Sequence, residues 1–194
     1  MLALLVVTGL GSQVSNNTLS SKERRFLVHE LKESKIAFLK SVKGLSEAQL
    51  NFKPAEDQWS IKEYIEQLAL TEDSLWNVAA ACLQQPARPE RKSEIADAVL
   101  LQAAAQPAGA HKAKAAQTAR VQWPTADAAV AHFKKQRGKT IKYVKTTTED
   151  VRSHITDLPV GTLDAYQVVW MMAAHAEQYT RQVKAIKTHP AFPH

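Results

Sequence analysis

Apolar positions recur along most of this chain every three or four residues, the period of a helix buried on one face. Leu27, Leu31, Phe38 and Val42 form the first such stripe. It follows an S-x-x-E capping box at Ser20 and Glu23, in which each side chain satisfies a backbone donor of the other, and Gly44 ends it. A single short turn over 45–50 carries its own Ser46/Gln49 box, and a loop over 51–58 contains Pro54. A third box, Ser60/Glu63, opens a second long helix to about Leu83, with Ile61, Tyr64, Ile65, Leu68, Leu75, Ala79 and Cys82 facing inward. Pro86 and Pro89 stop it, since proline cannot continue the hydrogen-bond ladder.

Residues 85–124 are weakly patterned. Ser93 is expected to cap a short helix through Leu101, followed by an Ala/Gln/Lys stretch ending at Trp123-Pro124. Thr125 caps a third long helix with Asp127 in its first turn, where the helix dipole favours an acid. Ala129, Val130, Phe133, Ile141 and Val144 mark its buried side, and Gly138 weakens it by about 1 kcal/mol relative to alanine. A turn through 157–161 leads to the last helix, Thr162–Lys187, closed by His189-Pro190. The pattern predicts an all-α fold: a four-helix bundle in one domain over 16–194, with one long crossover between its second and third long helices.

The last helix carries the candidate chemistry. Met172, His175, Tyr179, Val183 and Ile186 share a stripe, so an imidazole and a phenol lie one turn apart on a face expected to point inward. On the second long helix Gln67 sits beside the inner face, aligned with Tyr64 and Thr71. Such a group is either a site or a polar patch that satisfies itself.

Composition narrows the function classes. Hydrophobic residues make up 45% and charged residues 23% of the 194, ordinary for a globular chain, and 6 glycines argue against a turn-rich β fold. The formal charge of +6 is spread along the chain without a basic block or nucleic-acid motif, and reads as a solvated surface with no nucleic-acid partner. Cys82 is the single cysteine, which excludes an internal disulfide or a cysteine-rich metal site. His29, His132 and His154 show no ligand spacing and read as surface or edge residues; Met171-Met172 reads as core. Trp59, Trp76, Trp123 and Trp170 are expected to anchor core and loops. No phosphate loop, nucleophile–base pair or paired-carboxylate signature is present. Residues 1–15 are an apolar run ending in small residues, too short to span a bilayer. They read as a clipped export signal, placing the protein in the periplasm or outside the cell, or else as an apolar tail on a cytoplasmic domain.

Three stretches carry a family resemblance: QWSIKEYIEQLALTEDSLW at 58–76, FKKQRGKTIKYVKTTTEDVRSH at 133–154 and LDAYQVVWMMAAHAEQYTRQVKAIKTHPAFP at 163–193. Together they resemble the DinB/YfiT-like family over about residues 20–193. The resemblance implies a four-helix bundle with one long crossover. It also implies a divalent metal, nickel or zinc, held by one histidine of the second long helix and an i, i+4 pair on the last. Family activities include thiol transfer and mycothiol-dependent isomerisation. Here the first ligand position is Gln67, the second is the retained His175 and the third is Tyr179. A glutamine oxygen is a poor ligand for zinc or nickel, and a phenol must first lose a proton with a pKa of about 10. The expectation is therefore a degenerate, metal-free site. Gln67, His175 and Tyr179 are expected to hydrogen-bond to one another in a binding or interaction module, which an exposed helix face could pair as a homodimer. The competing expectation is a nickel- or zinc-dependent thiol transferase or hydrolase with an altered ligand set.

Overall fold

A computed structural model describes residues 18–105 and 123–194. The apolar stretch at 1–15 and most of the Ala/Gln/Lys stretch lie outside the described residues. Six helices and one hairpin follow in order. They are α1 (Ser21–Val42), α2 (Glu47–Asn51), α3 (Ile61–Leu83), α4 (Asp97–Ala105), α5 (Ala126–Thr146), β1 (Ile155–Leu158), β2 (Gly161–Asp164) and α6 (Ala165–Lys187).

The expected capping boxes form at Ser20/Glu23, Ser46/Gln49 and Ser60/Glu63, and Thr125 caps α5. Two boundaries differ from the sequence reading. Ser93 does not cap α4; its hydroxyl donates to the carbonyls of Ile95 and Thr162, and the helix starts four residues later at Asp97. The first residues assigned to the last helix, Thr162 to Asp164, are instead strand β2, paired antiparallel with β1 in the register Ile155↔Asp164 and Leu158↔Gly161. Gly161 takes φ +124 there, and an added Cβ would stand 3.0 Å from Cδ1 of Ile95. Asp164 then caps α6 in a fourth box with Gln167.

The long helices form a ring in which α6 packs on α1 and α3, and α5 packs on α3 and α1. Their buried side chains fall into two apolar clusters. One holds Leu27 and Leu31 of α1, Ala79 and Cys82 of α3, Ile141 and Val144 of α5, and the first turns of α6. The other holds Phe38 and Val42, Ile61 to Ala69, Ala126 to Phe133, and Ala176 to Ile186. It follows that α1 and α6 run parallel to each other and antiparallel to α3 and α5. Because α3 and α5 are parallel neighbours, the chain must travel the whole bundle between them. At about 1.5 Å per residue that is roughly 30 Å, and this explains the long crossover.

Between the two clusters lies a polar layer. Arg137 of α5 and Glu72 of α3 are both fully buried and paired in a fork, with Nε to Oε1 at 2.6 Å and Nη2 to Oε2 at 2.7 Å. The remaining Arg137 donors reach the Leu31 carbonyl and Ser34 hydroxyl of α1 and the Met172 carbonyl of α6. One side chain thereby ties all four long helices together.

Candidate functional site

Asp164 fixes the start of α6, and ten further residues bring the helix to His175. The imidazole is half-buried. Its Nδ1 lies 2.8 Å from the carbonyl oxygen of Met171, one turn back. A carbonyl only accepts, so Nδ1 carries the proton, and in the neutral ring the lone pair is on Nε2.

One turn on, Tyr179 is 5% exposed. Its ring meets His175 edge-on at 6.3 Å between centroids and reaches across to α3 at Tyr64, 5.5 Å away. Trp59, just ahead of α3, stands against both tyrosines. Burial raises the pKa of the Tyr179 hydroxyl, and a hydrogen bond with Thr71 offsets this only in part. Gln67 is half-buried on α3, on the stripe between Tyr64 and Thr71, both of which touch Tyr179. The α3 and α6 positions singled out from the sequence thus belong to one region of the α3–α6 interface. His175 turns to Met171 on its own helix, and Tyr179 turns to Thr71.

Glu72 and Arg137 hold the centre of the bundle. Both keep the four-residue spacing of their stripes, Leu68 to Glu72 and Phe133 to Arg137 to Ile141. That spacing is the signal that could have marked two charged residues as interior.

Other polar groups fall into place as tethers. His132, read as an edge residue, pairs with Asp73 at 2.7 Å, and Gln136 bonds the other carboxylate oxygen. Cys82 is buried, its thiol pushed up to about 11 by burial, so it carries little thiolate near neutrality. Arg152 joins Glu23, Asp97 and Asp164 and lies 3.8 Å over the Tyr166 ring, holding α4 against α6. Burial works against its charge, but the Asp97 and Asp164 carboxylates outweigh it and keep the guanidinium protonated.

Beside His175 the surface opens into an apolar groove of about 320 Å³ between α6, the α4 segment and the hairpin turn. Among the described residues, no three histidine, cysteine or carboxylate side chains are grouped as a metal site would need. Among the described residues, no helix is long and apolar enough to cross a membrane.

The sequence matches the DinB superfamily over residues 30–183. The chain belongs to the DinB superfamily. No curated protein matches it. Among solved structures it is similar to YfiT from Bacillus subtilis, described as a probable metal-dependent hydrolase with an unusual four-helix bundle topology. The two align with a TM-score of 0.60 at 11% identity, covering 91% of this chain and 92% of the other. At that identity the likeness shows the fold alone. The ring order found here, with consecutive long helices α1 and α3 on opposite sides of the bundle, is one that the four stripes could not specify.

Proposed function

We propose that this chain is a DinB-superfamily bundle that works without a metal ion, as a module binding a small molecule beside His175. The observation carrying this reading is the state of the donor set. His175 offers one good ligand atom, Nε2, with Nδ1 oriented as in many metal-binding histidines. Among the described residues, no group of three histidine, cysteine or carboxylate side chains includes it. Tyr179 is buried, its hydroxyl is engaged with Thr71, and its raised pKa opposes the phenolate that coordination requires. Gln67 contributes at best an amide oxygen. Zinc and nickel sites need about three good nitrogen, sulfur or carboxylate donors, and these residues do not fit one.

The competing reading, a metal-dependent thiol transferase or hydrolase, draws its support from the description of YfiT. Metal analysis separates the two. Untagged protein purified without chelator and offered nickel and zinc is expected to retain far less than stoichiometric metal. Stoichiometric metal that disappears in His175→Ala overturns the proposal. The double substitution Gln67→His with Tyr179→His, checked for retained helicity, is expected to acquire metal binding that the parent lacks. Failure to acquire it would mean that these positions do not converge.

A further inference from the structure

The groove beside His175 is walled by Val99 of α4, Val160 of the hairpin turn, and Trp170, Met171 and Ala174 of α6. Its volume lies at the small end of the range for ligand sites, roughly 300–1,000 Å³. Val99 and Val160 are 53% and 57% exposed, so apolar surface is left uncovered at its rim. No lysine, arginine, aspartate or glutamate lines it. A charged occupant would lose hydration there and gain no counter-charge. The polar lining of the groove comes from His175 and Gln178. His175 presents the bare Nε2 acceptor, since Nδ1 is committed to Met171. The groove wall therefore carries an acceptor that no hydrogen bond within the protein occupies among the described residues.

We propose that this groove binds an uncharged, mostly apolar small molecule carrying one hydroxyl, whose O–H donates to Nε2 of His175. The tautomer sets the polarity of recognition: the ligand must bring the proton. A hydroxyl supplies that proton without bringing a charge, and a carbonyl supplies none. The inference rests on the metal-free reading, because a metal on Nε2 would consume the lone pair.

The test compares 2-naphthol with 2-methylnaphthalene and 2-naphthoate, all two-ring probes, by equilibrium binding to chelator-treated full-length protein. The metal content of the same samples is measured. On the parent protein, 2-naphthol is expected to bind about fivefold to tenfold tighter than 2-methylnaphthalene, the ordinary worth of one hydrogen bond, and naphthoate more weakly than either. His175→Phe should remove the preference for naphthol and leave methylnaphthalene bound. Ala174→Trp, which fills the groove, should abolish both. Equal affinities for naphthol and methylnaphthalene in metal-free protein would overturn this inference and leave the metal-free reading standing. So would tighter binding of naphthoate, or naphthol binding unchanged by Ala174→Trp. Stoichiometric nickel or zinc in the parent overturns the metal-free reading instead. The probe comparison needs no variant, so it stands even where a variant fails to fold.

Discussion

Arg137 has five N–H donors, and all five are used within hydrogen-bond distance. A buried guanidinium without that satisfaction would be costly, and so would Glu72 without Arg137. Arg137→Met is therefore expected to destabilise the protein by about 3–5 kcal/mol in urea unfolding, because it strands a buried carboxylate. Adding Glu72→Met should recover most of that loss; a double variant as weak as the single would show that the arginine acts through packing alone. Smaller effects operate at the helix starts. At Glu23 and Glu63 burial acts to raise the pKa. Hydrogen bonds with Ser20 and Arg152 at the first, and with Lys53 and Ser60 at the second, outweigh it and hold both carboxyls below 4.5. A depressed folded pKa means the folded form binds fewer protons, so this stability is complete above the unfolded value and is lost as pH falls through the folded one. Glu63→Gln, which keeps an acceptor for the Ser60 N–H, should flatten the loss of stability between pH 5 and pH 3. An unchanged acid limb in urea titrations would rule the ion out as its source. At this scale the sequence was hardest to read. Periodicity treats a charge as exposed, so it does not mark Glu72 and Arg137 as interior although each sits on its stripe, while His175, expected inward, opens partly to a groove.

Elements were far more legible. Three of the four long helices open on a local signal, a box at Ser20 or Ser60 or the Thr125 cap, that requires no knowledge of the rest of the chain. The hairpin carries no such signal, since four-residue strands at 155–158 and 161–164 offer too few positions for alternation to declare itself. Its turn depends on Gly161, and the helix α5 depends on nothing of the kind at Gly138, where an added Cβ meets no atom within 4 Å. The same change should therefore have opposite signs at the two sites. Gly138→Ala is expected to stabilise by about 0.5–1 kcal/mol through helix propensity and a less flexible unfolded chain. Gly161→Ala should destabilise, since it forces φ +124 on an alanine and presses on Ile95. Thermal melts of the two variants moving in the same direction would contradict this account.

For the molecule as a whole, the four stripes predicted a bundle but not its circuit. Pattern says which side of a helix is wet, and says little about which helices become neighbours. That information resides in cross-bundle contacts such as Arg24 with the Val144 carbonyl, or Arg137 with three other helices. The site was legible in part for the same reason. His175 on α6 could be named as a candidate, and the apolar wall contributed by α4 and the hairpin turn could not.

The parallel run of α1 beside α6 has a mechanical consequence. The described chain enters at one end of the bundle, near Leu19, and leaves at the other, near Phe192. A load applied between those points drags α1 and α6 lengthwise past each other, so their side chains must give way together and not one turn at a time. Single-molecule stretching from the two termini should therefore meet a high rupture force in one step. Anchoring at Ser21 and Lys145, across the antiparallel α1–α5 pair, should peel the fold open at a much lower one.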